Sequence, residues 1–216
     1  VAPLVADAGA VTAVAFAGDE RLVVFDAAAS ALSGSAVPLW SWRAAAPILD
    51  QAADLAGAQL LVLDQAGQLS ALRLSNGAVL WQAQMPAGAQ VGLAVVAAAG
   101  LLLVPVQGAV EAVDLALNPA QRLRWMASLP TGLDASGRLA SDGAKAYVSL
   151  SPGALVALSL ADGSQSWQQD LGAPAGAGPA VFGDGVYAPR EDGVVRVLDP
   201  ANGSLVRDLL IGGPAL

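Results

Sequence analysis

Residues 71–81 read ALRLSNGAVLW and residues 157–167 read ALSLADGSQSW: an apolar pair, an Asn/Asp-Gly turn and a closing tryptophan. The pair recurs at Val24-Phe25, Ala71-Leu72, Ala112-Val113, Ala157-Leu158 and Val197-Leu198, with second members 47, 41, 45 and 40 residues apart. A period of about 42 residues is that of a β-propeller blade. Asn76-Gly77, Asp162-Gly163 and Asn202-Gly203 suit the two φ > 0 positions of a type I′ hairpin. The strand that follows ends in Trp81, Trp125 or Trp167. Arg207 takes that place in the last copy, and Trp40 or Trp42 takes it in the first, after an insertion rich in Ala and Ser.

Upstream of the pattern, Pro179 to Tyr187 resembles Pro3 to Gly9, each a first strand entering a tight turn. In the last unit the four strands fall near Ala180–Phe182, Val186–Pro189, Val194–Leu198 and Ser204–Leu209. Many strands are almost continuously apolar, as stacked blades require when both faces of each sheet are buried. The expectation is an all-β protein, a β-propeller of five four-stranded blades at 1–45, 46–85, 86–129, 130–172 and 173–216. These blades form one domain, closed by itself or contributing to a larger or composite ring.

Composition agrees. Of the 216 residues 55% are hydrophobic and 13% charged, which excludes a disordered chain, and no long polar linker divides them. The uncharged stretch Val91–Val106 is short for a membrane span and carries Gly100 where the repeat expects its first turn, so it predicts two buried strands and no direct membrane span. A chain that starts at Val1 rather than Met is expected to be a mature or trimmed product.

A net charge of −8 with a single lysine, Lys145, argues against nucleic acid and against anionic lipid surfaces. Cysteine is absent, which removes disulfides, thiolate chemistry and zinc-thiolate sites. Histidine is absent too, which excludes histidine triads and the usual general base near neutral pH.

The elements Ala71 to Trp81 and Ala157 to Trp167, with the looser Val197 to Arg207, resemble the tryptophan-docking repeat of PQQ-like β-propellers. The third position of that pattern keeps its aspartate at Asp26, Asp114 and Asp199 and is Arg73 and Ser159 elsewhere. Catalytic members of the family carry an active-site aspartate, a calcium site and often a disulfide of adjacent cysteines, and this chain shows no counterpart. It is closer in character to the non-catalytic members, the propeller lipoproteins of the outer-membrane β-barrel assembly (BAM) complex. What the resemblance implies is a non-enzymatic scaffold with no cofactor, metal or catalytic residue, periplasmic or extracellular, bound to a protein partner that is a membrane or secretion component. A small-molecule or sugar-binding propeller and a partial quinoprotein are the alternatives.

Trp81, Trp125 and Trp167 read as packing elements between neighbouring sheets. Trp40 and Trp42, two residues apart, point to the same face, so one docks while the other is available to a partner. Asp before Gly, at Asp142, Asp162, Asp184 and Asp192, is turn chemistry. Partner-binding candidates are the loops joining second to third strands and blade to blade: Trp42, Arg43, Leu133, Asp134, Arg138, Arg190 and Asp192.

Overall fold

The computed structural model describes residues 4–7, 12–86, 88–116, 122–183 and 185–212. Pro3, Ala8, Gly9 and Asp184, which the sequence assigns to first strands and turns, lie outside the described residues. Five antiparallel sheets follow one another along the chain. The first holds β1 (Leu4–Asp7), β2 (Thr12–Gly18), β3 (Arg21–Asp26) and β4 (Pro38–Arg43). The second holds β5 (Ile48–Asp54), β6 (Gln59–Asp64), β7 (Gln68–Arg73) and β8 (Val79–Gln84). The third holds β9 (Ala94–Val96), β10 (Leu101–Val106), β11 (Ala109–Asp114) and β12 (Leu123–Ser128). In the fourth, two short strands, β13 (Asp134–Ala135) and β14 (Ala140–Ser141), both pair with β15 (Lys145–Ser151), followed by β16 (Ala154–Ser159) and β17 (Gln165–Asp170). The fifth holds β18 (Ala180–Phe182), β19 (Gly185–Pro189), β20 (Val194–Leu198) and β21 (Leu205–Leu210). The fold is the expected all-β propeller type, and the fifth sheet reproduces the predicted strands almost residue for residue.

Two compact units divide the described residues: the first two sheets, ending at Ala89, and the last three, beginning at Gln90. In the first unit Leu22 and Val24 pack against Leu60, Val62, Leu72 and Leu74 of the second sheet. In the second unit the fourth sheet is covered on both sides. Ala146, Val148, Val156 and Leu158 meet Leu103, Val110 and Trp125 of the third sheet. Tyr147, Leu155, Ala157 and Trp167 meet Val186, Ala188 and Leu198 of the fifth. A strand buried on both faces has no need of polar alternation, which is why β16, reading ALVALS, is so continuously apolar. Val91–Val106 supplies β9 and β10, joined through a short turn that ends at Gly100. No helix among the described residues is long and apolar enough to cross a membrane.

One expectation needs correcting. At Asn76-Gly77, Asp162-Gly163 and Asn202-Gly203 only the glycine is left-handed, at φ 71°, 75° and 75°. The turns are therefore wider than a two-residue type I′ hairpin. Each glycine N–H donates to the carbonyl four residues back, on Arg73, Ser159 and Asp199, at 2.8 Å. The side-chain oxygen of the Asn or Asp accepts the N–H two residues on, from Ala78, Ser164 and Ser204. This local acceptor holds the turn open with a single φ > 0 residue. In the first sheet the same turn is replaced by a seven-residue helix, α1 (Ala27–Ser33), capped by the Asp26 carboxylate, which accepts the Ala29 N–H at 2.8 Å. Alanine-rich composition gives the insertion its helix.

A one-residue bulge precedes the tryptophan position in every sheet: Ala71 pairs with Trp81 but Leu72 with Val79, and the same skip occurs beside Trp40, Trp125, Trp167 and Arg207. The skip puts the tryptophan in the row of Ala71, Val24 or Ala157, which is the face that meets the following sheet in the Trp40 and Trp167 cases.

A candidate protein-interaction surface

The tryptophans build the sockets between sheets. Trp40 Nε1 donates to the Leu74 carbonyl at 2.8 Å, Trp125 Nε1 to Leu160 at 2.9 Å, and Trp167 Nε1 to Pro200 at 3.0 Å. Each indole lies on the turn glycine of the sheet it enters. A Cβ added at Gly77, Gly163 or Gly203 would stand 2.5–2.6 Å from Cε3 of Trp40, Trp125 or Trp167. The repeat's two signature residues thus touch across neighbouring sheets, a contact the sequence gives no way to pair. Trp81 donates to Oε1 of Gln59 within its own sheet, at 3.2 Å.

Turns at the other end of the strands are tied down in the same manner throughout. The residue after each fourth strand (Ala44, Met85, Leu129, Leu171 and Ile211) donates its N–H to the second turn of its own sheet, at 2.8–3.0 Å. The Asp64 carboxylate accepts from Ala66 and Gln68 N–H, and Asp192 accepts from Val194 N–H. Loops so anchored arrive at a partner already ordered.

In the first unit Trp42 is half-buried and separates two shallow grooves of about 470 and 440 Å3. One is floored by Gly18, Asp19, Glu20 and Arg21, the other by Ala44, Asp64, Gln68 and Gln82, and Arg43 borders both. Arg43 pairs with Glu20 through Nη2 at 2.6 Å and Nε at 3.0 Å, and its side chain remains 78% exposed. The structure therefore brings Trp42 and Arg43 together and adds Glu20, whose separation of 23 residues from Arg43 hides the pair from sequence reading. An amphipathic ring flanked by grooves, rimmed by an exposed ion pair, is the composition of an interface anchor.

The second unit distributes its candidates differently. Leu133 packs against the core of the third and fourth sheets. Asp134 lies in β13 and accepts the Gly108 N–H at 2.9 Å, so both are committed to the fold. Arg138 is exposed. Arg190 is 12% exposed and forks onto Asp192, with Nε to Oδ1 at 3.1 Å and Nη2 to Oδ2. That guanidinium holds the Asp192 carboxyl below the usual carboxylate range. Beside it Arg196 forks onto Asp208 at 3.0 and 3.1 Å and reaches the Asp170 carbonyl at 3.4 Å. Hydrogen bonding from Arg196 lowers the Asp208 carboxyl likewise. Among the described residues no group of three or more His, Cys, Asp or Glu is arranged to hold a metal ion.

A family model described as outer membrane protein assembly factor BamB matches residues 1–113 and 106–207. The chain belongs to this family. Two overlapping matches to one model are what an internally repeated BamB-like chain produces. Among solved structures, BamB from Moraxella catarrhalis is 18% identical, with 97% of this chain on 73% of that one at a TM-score of 0.58. Sqt1 of Saccharomyces cerevisiae is 11% identical, with 99% on 62% at 0.81, and the computationally designed Ika8 protein is 13% identical, with 98% on 62% at 0.75. These likenesses carry the fold alone, and the chain spans about three-fifths of the length of the latter two. No curated protein matches it.

Proposed function

We propose that the chain is a non-enzymatic protein-interaction scaffold of outer-membrane protein assembly, working in the periplasm or outside the cell, with a membrane or secretion component as its partner. The observation that carries this reading is the Trp42 ridge between two grooves on a framework whose turns are hydrogen-bonded in place, in a chain of the BamB family. Display is the mechanism. The docking face loses little entropy on binding, Trp42 supplies buried apolar area, and Arg43 with Glu20 supplies direction. On the second unit the exposed Arg138 and Asp192, the latter held by Arg190, make the secondary contacts of the same proposal.

The test is capture from detergent-solubilised membranes of the source organism by the tagged full chain, beside Trp42→Ala and Arg43→Glu. Components of the outer-membrane protein assembly machinery are expected in stoichiometric amounts with the unaltered chain. Recovery should fall at least about tenfold with either variant, as for an interface hot spot, and Arg43→Glu, whose side chain is exposed, should do so without lowering the melting temperature. Absence of those components, or equal capture by all three proteins, overturns the proposal.

A further inference from the structure

Of the two grooves beside Trp42, the one shared with the second sheet is rich in uncommitted hydrogen-bond acceptors. Trp42 of β4 lines it together with Asp64, Gln68, Ser70 and Gln82. Asp64 is only 3% exposed. Its Oδ1 accepts the Ala66 N–H at 3.0 Å and the Gln68 N–H at 2.9 Å, which caps the turn after β6. Among the described residues no donor reaches Oδ2, and no cation pairs with the carboxylate. A carboxylate so far removed from water, with one oxygen free, is a strong acceptor in want of a positive partner.

The two glutamines add oxygens to the same groove. Gln68 Nε2 donates to the Ala83 carbonyl at 3.0 Å, and a carbonyl can only accept, so the amide is oriented by that bond. Gln82 Nε2 donates at 3.0 Å to Oγ of Ser70, which is 1% exposed. In both amides Oε1 is the atom left without a partner among the described residues. The cation that borders the groove, Arg43, is already forked onto Glu20 at 2.6 and 3.0 Å.

We propose that this groove takes an arginine side chain of the protein partner, an inference that rests on Trp42 being the docking ridge and adds what the partner must present there. One carboxylate oxygen, two amide oxygens and an indole ring together ask for a cation. A neutral hydroxyl or amide would leave the Asp64 charge uncompensated. Between the two basic side chains, a planar guanidinium stacks on an indole and donates from its edge at the same time, whereas a compact ammonium does one or the other. The net charge of −8 draws a basic surface towards the chain before contact.

The probe is N-acetyl-arginine methylamide, titrated at constant ionic strength into the 15N-labelled full chain while the five indole N–H signals are followed by NMR. Trp42→Phe assigns the signal of Trp42. The citrulline analogue has the same shape without the charge, and the lysine analogue has the charge without the plane. Asp64→Asn keeps an oxygen for the Ala66 and Gln68 N–H groups, so the turn stays capped. Gln82 is exposed, and Gln82→Lys places a cation in the groove on a second route. Melting curves confirm that both variants fold.

The expected result is a saturable shift of the Trp42 signal with Kd of about 1–10 mM, weakened at least about tenfold by citrulline, by Asp64→Asn and by Gln82→Lys, and weakened also by lysine. Equal binding of arginine and either analogue, indifference to both substitutions, or no saturation up to about 100 mM would each sink the proposal. So would membrane capture that falls with Trp42→Ala but not with Asp64→Asn, which leaves the docking reading standing. If the titration saturates as expected and capture retains nothing, the groove binds arginine and the docking reading alone has failed.

Discussion

In the fourth sheet Tyr147, Ala157 and Trp167 form one cross-strand row, and in the fifth the same row is Tyr187, Val197 and Arg207. Tyr147 is fully buried, its ring 5.7 Å from that of Trp167, and Trp167 reaches into the fifth sheet to Pro200 and Gly203. In the fifth sheet Arg207 donates to the Tyr187 hydroxyl at 3.3 Å, and β21 is exposed along its whole length, Leu210 at 85%. Backbone, bulge and register are the same, and only the covering differs. The tryptophan is therefore a property of the contact between sheets and not a requirement of the four-stranded unit.

Four substitutions and one control probe that comparison. Trp167→Arg, which gives the fourth row the composition of the fifth, should destabilise the chain by about 3–5 kcal/mol in chemical denaturation, because it empties the socket and buries a cation. A loss below about 1 kcal/mol would mean that the socket contributes little. Gly203→Ala attacks the receiving side, with left-handed backbone and a Cβ 2.6 Å from the indole, and should cost about 2–3 kcal/mol. Gly183→Ala is its control, since φ is 59° but nothing lies within 4 Å of the added Cβ, and should cost about 1 kcal/mol.

Tyr147→Phe removes the hydroxyl that donates to Asp142 Oδ2 at 2.6 Å. Burial pushes the Asp142 carboxyl up, but hydrogen bonds from Tyr147 and from the Lys145 and Ala144 N–H groups outweigh it and hold the carboxyl below its ordinary value. A depressed folded-state value adds stability that is present above the unfolded carboxylate pKa and lost as pH falls through the lowered one. Burial, then the Asp142 hydrogen bond, raises the Tyr147 phenol, so a matching contribution is lost as pH rises past the ordinary tyrosine value. Tyr147→Phe should cost about 1 kcal/mol near neutrality and flatten both limbs of a stability-against-pH curve. The smallest effect belongs to Arg207→Trp, which should shift the unfolding free energy by less than about 0.5 kcal/mol because β21 is exposed.

Most of the fold was legible because a period is a long-range signal written many times. The spacing of Leu72, Leu158 and Leu198, the turn glycines and the tryptophans fixed strand number and order. The turn type was not legible, because Asn-Gly serves both a two-residue turn and the wider one adopted here, and hydrogen bonding by the Asn side chain decides between them. At the candidate surface, Trp42 stood out through its spacing from Trp40. Glu20 and Asp208 did not, since an ion pair joins residues brought together by strand pairing and leaves no local trace. Leu133 reads as displayed in a polar loop, and no local pattern announces that its half-buried side chain also packs against the core of the third and fourth sheets.

The single-residue bulge before each tryptophan makes the repeat directional. With an unbroken ladder from the turn, Trp167 would fall beside Val156, in the row that packs on the third sheet, and its indole would point backwards along the chain. The fourth sheet thus has a receiving face towards the third and a sending face towards the fifth, like the socket and stud of a building brick. A lost or gained residue between glycine and tryptophan reverses that polarity, whereas the same turn in the first sheet takes in a whole helix without disturbing it.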